Sequence, residues 1–87
     1  MSDSEIAADE TLDVKGESCP MPVVKTKQAI DGVAEGGVLE VLATDSGSMS
    51  DIEGWAAGTD GVELLAQSER QDGGETVYVH HVRATES

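Results

Sequence analysis

The chain has 87 residues, with 18 Asp and Glu against 5 Lys and Arg and a formal net charge of −13. One domain is expected at this length, with a thin core, because such a chain buries only about 60–65% of its unfolded surface. Binding to nucleic acid or to an anionic membrane is disfavoured, because either contact needs a basic footprint on the protein. Because the core is thin, chemistry is expected on the surface, completed by a partner protein.

The acidic residues are spread along the whole chain rather than gathered in one block. A docking patch for a basic partner should be local, whereas adaptation to high salt requires carboxylates over the entire surface. The distribution favours salt adaptation over partner docking. The absence of Phe from the composition agrees with it.

Residues 1–10 contain four acids and little that could be buried, which predicts a disordered acidic tail. This segment has neither the basic nor the apolar region of a signal peptide, and no stretch has the length and hydropathy of a membrane span. The single cysteine cannot form an internal disulfide, which agrees with a reducing compartment. A cytoplasmic location is expected.

Residues 11–14 predict a first strand, and Lys15 to Ser18 predict a turn. Cys19-Pro20-Met21-Pro22 follows, and two prolines one residue apart indicate the start of a helix, where a missing N–H is tolerated. Apolar residues at helical spacing continue to Ala34, and Gly36-Gly37 is expected to end that helix.

Residues 38–43 are a nearly continuous apolar run, which predicts a strand that is central or covered on both faces. A short second helix should follow, capped by Ser48 or Ser50 and ended by Gly58. Residues 62–66 and 75–83 predict two further strands joined through a turn at Asp72-Gly73.

The predicted fold is therefore an α/β (α+β) two-layer sandwich with the order β-α-β-α-β-β. Its mixed four-stranded sheet carries two helices on one face, the two crossovers favouring parallel neighbours and the last hairpin an antiparallel pair. The domain is expected to span 11–83, between the tail at 1–10 and a C-terminal tail at 84–87.

Cys19 is the candidate reactive residue. A helix N-terminus favours the thiolate, and Pro20 should hold Cys19 in an extended conformation from which the sulfur projects. Three of the five basic residues, Lys15, Lys25 and Lys27, lie near it in sequence. The alternatives are a small buried cysteine and lysines on a solvated helix face, and the position between a glycine turn and two prolines argues against the first.

Other candidates are weaker. His80 and His81 are adjacent on a predicted strand, so they should point to opposite faces and cannot hold one metal ion together. Met49 and Trp55 are interpreted as core residues. Asp45 and Asp51 are explained by helix capping rather than by catalysis.

Residues 12–22 contain a Cys-Pro-x-Pro core. Together with residues 37–45, they resemble the TusA/SirA-like sulfur carriers. The resemblance continues in Ser50-Asp51-Ile52 and Trp55. The resemblance covers roughly 11–83, and the upstream Leu-Asp-x-Lys-Gly makes it more specific than the bare motif. The chain departs from the family at Ser46, where a proline is common.

The resemblance implies that Cys19 carries sulfur as a persulfide, supported by a turn of Asp13, Lys15 and Gly16. Pro20 and Pro22 would shape the helix start. No bound cofactor is expected for this exchange, and no metal ion is expected because the chain has one cysteine and no other ligand cluster. The partners would be a donor such as a cysteine desulfurase and a downstream sulfur acceptor, possible destinations being tRNA thiolation, molybdenum-cofactor assembly and sulfur oxidation.

The main rival function is a regulatory or adaptor module that binds a partner without sulfur chemistry. A thiol redox protein is disfavoured because no second cysteine is available to resolve a disulfide. A ubiquitin-like carrier would require a C-terminal Gly-Gly, whereas the chain ends Thr85-Glu86-Ser87.

Overall fold

The computed structural model describes residues 8–18 and 21–85. Its elements are β1 (Glu10–Val14), α1 (Met21–Ile30), β2 (Val38–Ala43), α2 (Ser48–Ala57), β3 (Val62–Asp72) and β4 (Glu75–Ala84). The strands form one mixed sheet in the order β1-β2-β4-β3. The predicted α+β class and element order are confirmed.

The helices cover one face of this sheet. Leu39 and Val41 of β2 are buried and share one core cluster with Ile30 of α1 and Ile52 of α2. Burial of apolar surface on this face is the main force that holds the two layers together. In the described part of the chain, neither helix is long and apolar enough to cross a membrane.

The strand order differs from the prediction at the second crossover. β1 and β2 are parallel neighbours, as expected, but β4 lies between β2 and β3 and is antiparallel to both. The reason is burial: Val77 to Val82 of β4 are nearly all buried, which favours a central strand. β3 is more exposed and carries several charges, as edge strands often do.

Some residues of the two predicted tails, 1–10 and 84–87, belong to the ordered sheet instead. Glu10 belongs to β1, and the N–H of Asp9 donates to the carbonyl of Val38 at 2.8 Å. Ala84 ends β4 rather than opening a tail. Backbone pairing with β2 and β3 orders these ends despite their polar sequence. The rest of the predicted tails, 1–7 and 86–87, lies outside the described residues.

Helix α1 is shorter than predicted. It ends at Ile30, where the N–H groups of Gly32 and Val33 donate to the carbonyls of Ala29 and Ile30 and tighten the chain into a turn. Gly32 is a poor helix former, which explains why the helix stops before Gly36. Val33 nevertheless packs against the core.

The last hairpin is longer than predicted. β3 pairs with β4 along its length to Asp72, with a register shift between Leu64 and Ala66. The connection is Gly73-Gly74, with φ of 62° and 86°, which only glycine adopts readily. The predicted turn is therefore confirmed, shifted by one residue.

Candidate functional site

The candidate site lies at the edge of the sheet where the parallel strands β1 and β2 end. Val14 pairs with Ala43 in register, so the segments that follow the two strands start side by side. Both segments lead into helices, α1 at Met21 and α2 at Ser48. Two helix N-termini therefore lie on the edge to which the sequence assigned the reactive thiol.

Lys15 and Gly16 form a tight turn directly after β1. The Asp13 carboxylate accepts the N–H of Lys15 at 3.0 Å, and the N–H of Gly16 donates to Thr44 Oγ1 at 2.9 Å. Gly16 has φ of 85°, a left-handed conformation that disfavours residues with a side chain. The three predicted supporting residues thus share one turn, and Thr44, which sequence reasoning missed, joins that turn to β2.

Cys19 and Pro20 lie outside the described residues. Their neighbours in sequence are Ser18 and Met21, and the N–H of Met21 donates to the carbonyl of Ser18 at 2.9 Å. The sequence therefore places the thiol between the Lys15–Gly16 turn and the first residue of α1. No acidic side chain lies in the first turn of this helix.

Pro22 lies in the first turn of α1 and is fully buried. Its carbonyl accepts the Oγ1 hydrogen of Thr26 at 2.7 Å, and Thr26 is buried as well. This proline thus anchors the helix start in the core, at a position where its missing N–H costs nothing. The helix start predicted from the two prolines is observed at Met21.

The three lysines predicted to surround Cys19 do not form one positive patch. Lys15 Nζ lies 3.8 Å from an oxygen of Asp13, and Lys25 Nζ lies 2.6 Å from an oxygen of Glu17. Lys27 lines a cavity at the opposite end of the sheet. The site edge is thus locally neutralised by ion pairs rather than positive, in a chain that is otherwise strongly acidic.

His80 belongs to a buried hydrogen-bond network that the sequence did not reveal. Gln67 Nε2 lies 2.8 Å from the carbonyl oxygen of Met49 and 3.0 Å from His80 Nδ1, and His80 Nε2 lies 3.1 Å from Ser48 Oγ. Burial, and to a lesser extent the neighbouring His81, lowers the pKa of His80 to about 4.

The His80 ring is therefore neutral at pH 7. Since Gln67 donates to Nδ1, the single ring proton lies on Nε2 and is donated to Ser48. His80 cannot accept the Ser48 proton in this arrangement, so the network is structural. It ties the start of α2 to β3 and β4.

The two adjacent histidines point to opposite faces, as predicted. His81 Nε2 lies 3.3 Å from an oxygen of Glu40, whose other oxygen accepts a hydrogen bond from Thr11. This pair lies on the sheet face away from the helices, while His80 contacts α2. Within residues 8–18 and 21–85, no three potential ligands converge in a way that could hold a metal ion.

The capping box predicted for α2 is wrong. Gly47 is the N-cap, without a side-chain cap, and Ser48 is instead buried against His80. Asp45 accepts the N–H of Gly47 at 3.1 Å and so shapes the loop before the helix, while Asp51 lies in the first helical turn. Gly58 ends the helix, as predicted.

The core interpretation of Met49 and Trp55 holds in part. Trp55 packs against the core cluster from its rim, and its Nε1 is buried without a hydrogen-bond partner in the described part of the chain. Met49 is half-buried and contributes its carbonyl to Gln67.

Comparison with known proteins places these features in a family. The family model described as sulfurtransferase TusA matches residues 10–81, which include the Lys15–Gly16 turn, Cys19 and the His80 network. A solved SirA-like protein of Desulfitobacterium hafniense is similar in structure, with a TM-score of 0.60 and 30% identity. That match covers 88% of this chain and 99% of the other.

Curated relatives agree with the family match. A candidate sulfur carrier protein of Halobacterium salinarum is 72% identical over 76 residues, which are 87% of this chain and 89% of the relative. The sulfur carrier protein TusA of Allochromatium vinosum is 39% identical over 61 residues, 70% of this chain and 79% of the relative.

Proposed function

This chain belongs to the TusA sulfurtransferase family, and on that premise we propose that it relays sulfur as a persulfide on Cys19. The observation that carries the proposal is the family match across 10–81, which includes the only cysteine of the chain. The ordered turn that precedes this cysteine in sequence and the helix start that follows it support the proposal.

The proposed reaction is thiol exchange without a bound cofactor. The Cys19 thiolate attacks the outer sulfur of a donor persulfide, a new S–S bond forms, and the donor thiolate leaves. An acceptor thiolate then attacks the terminal sulfur, and the Cys19 thiolate leaves. Sulfur is passed on at an unchanged oxidation level, so no external oxidant or reductant is needed.

The helix start supplies the electrostatics for this exchange. The dipole at the start of α1 favours a thiolate two positions before Met21, and it favours a persulfide anion in the same way. Lys25 is held by Glu17, which limits its contribution to the field at the thiol. The proposed nucleophile thus depends on the helix more than on the lysines.

We propose a cysteine desulfurase or another protein persulfide as donor and a protein thiol as acceptor, acting in the cytoplasm. The donor and the acceptor must each reach one sulfur atom, which an edge site on a small domain allows. The final product would be a thiolated tRNA or the molybdenum cofactor, assembled by the acceptor, since a chain of charge −13 is a poor ligand for nucleic acid.

The test is the intact mass after incubation with a cysteine desulfurase and free cysteine. We expect a gain of one sulfur atom, lost on reduction, and no gain for a folded Cys19→Ser variant. Sulfur loading on that variant would overturn the proposal. The adaptor function predicts instead that alkylation of Cys19 leaves partner binding and activity intact.

A further inference from the structure

A second concave site lies at the end of the sheet opposite the Lys15–Gly16 turn. It is a cavity of about 330 Å³ between the ends of α1 and α2, the start of β3 and the end of β4. This volume is at the lower end of the range for small-ligand sites. It is large enough for one long side chain of a partner.

The cavity combines apolar surface with uncompensated carboxylates. Its lining includes Trp55 and Ile30 on the apolar side and Asp31, Glu35 and Asp60 on the acidic side. In the described part of the chain, none of these three acids takes part in an ion pair. Lys27 also lines the cavity and leaves the four charged groups with a net charge of about −2 at neutral pH.

Two helix C-termini add to this negative potential. α1 ends at Ile30 and α2 at Ala57, and the cavity is lined by Asp31 just after the first helix and by Thr59 and Asp60 shortly after the second. The negative ends of both helix dipoles therefore favour a cation here. Salt adaptation requires only hydrated carboxylates on the surface, so it does not explain why these carboxylates lie beside the apolar residues of the cavity.

Trp55 supplies two further features. It lines the cavity, and a guanidinium stacks on an aromatic ring more readily than an ammonium ion does because it is planar and weakly hydrated. Its Nε1 is buried without a partner among the described residues, an unusual state for an indole N–H.

An arginine within a peptide segment carries all the groups that this site lacks: an alkyl stem, a planar cation and a backbone carbonyl. We propose that the cavity lined by Trp55, Asp31 and Asp60 binds an arginine side chain of a partner protein. This contact is independent of sulfur transfer and lies at the other end of the domain, so a partner held there would leave the Lys15–Gly16 turn uncovered.

The test uses the emission of Trp55, the only tryptophan of the chain, in salt that keeps the protein folded. The probe is acetyl-Gly-Arg-Gly-amide, with the citrulline peptide as its uncharged isostere and spermidine as a free polyamine. We expect a saturable emission change with the arginine peptide and binding at least about fivefold weaker with citrulline. Equal binding of both peptides, binding of spermidine alone, or no change with the arginine peptide would overturn the proposal.

Matched variants locate the contact. Asp31→Asn with Asp60→Asn should weaken binding of the arginine peptide by about fivefold or more. Asp72→Asn with Glu75→Gln removes the same charge at the hairpin tip and should leave binding unchanged. Equal weakening of peptide binding in both double variants would show a diffuse effect of net charge and would contradict a specific binding site in the cavity.

Discussion

Glu17 Oε2 lies 2.6 Å from Lys25 Nζ. This ion pair joins the segment before Cys19 in sequence to the fifth residue of α1. Both side chains are about two thirds buried. The pair fixes the approach of the chain to the helix and neutralises the lysine nearest to the helix start. It therefore makes two separable contributions, one to position and one to charge.

Replacing one partner of this pair should change the reactivity of Cys19 in a direction set by charge. Glu17→Gln removes a negative charge two residues from the thiol, so alkylation should reach its half-maximal rate at a lower pH. Lys25→Met should shift the midpoint to a higher pH. The measurement is the rate of iodoacetamide alkylation against pH, and identical shifts in both variants would indicate a purely structural pair. The unfolding free energy should fall by less than about 1 kcal/mol in either variant.

Gly16→Ala should destabilise the fold because of its backbone conformation. An alanine Cβ meets no atom within 4 Å, but φ of 85° is unfavourable for it, and a loss of about 1–2 kcal/mol is expected. Gly54→Ala is the control: it lies inside α2 with equal space and should stabilise by about 0.5–1 kcal/mol. Denaturant unfolding of both variants in the same salt gives the comparison, and a neutral Gly16→Ala would contradict the strained turn.

Lys15→Glu should slow sulfur transfer, because it places a carboxylate beside Asp13 in the turn before Cys19. The effect on stability should be small, since the existing ion pair is partly exposed and long. Lys27→Glu makes the same charge change at the opposite end of the sheet and controls for net charge. Single-turnover transfer from a persulfide donor provides the measurement, and equal rates for both variants would exclude a local role for Lys15.

Stability should fall as the pH is lowered from 6.5 toward 4, because of His80. Its pKa in the folded chain is about 4, below the ordinary 6.5, so in this range the unfolded chain binds the proton more readily. Between about pH 7 and about pH 5 the loss should be about 2 kcal/mol.

The groups that contact the two ring nitrogens of His80 are both uncharged: the hydroxyl of Ser48 and the amide of Gln67. A His80→Gln variant should retain hydrogen-bonding capacity and lose this part of the pH dependence. Guanidinium titrations at several pH values would show it, and parallel pH profiles of variant and parent would refute the assignment.

Molar salt should stabilise the protein. A net charge of −13 on 87 residues creates repulsion that dilute buffer leaves unscreened, whereas at 1 M salt the screening length is only about 3 Å. Thermal unfolding in dilute buffer and in molar potassium chloride tests this, and equal midpoints would refute it.

Much of the local structure could be predicted from the sequence. The apolar run at 38–43 became β2 with the predicted bounds, and Pro22 marks the start of α1 because its fixed backbone angle and missing N–H suit only a first turn. The glycines at the Lys15–Gly16 turn and at Gly73-Gly74 likewise mark reversals, because positive φ is accessible to them. These are short-range effects that neighbouring residues determine.

Tertiary structure decided the rest. In the sheet, β4 lies between β2 and β3. This position depends on which strand can be buried on both faces, and that is decided by the assembled sheet rather than by one crossover. The hydrogen bonds of His80 with Ser48 and Gln67 join residues 32 and 13 positions apart. Lys25 and Lys27 are only two positions apart in sequence, yet Lys25 is paired with Glu17 and Lys27 lines the distant cavity, because a helix turns its successive side chains to different sides.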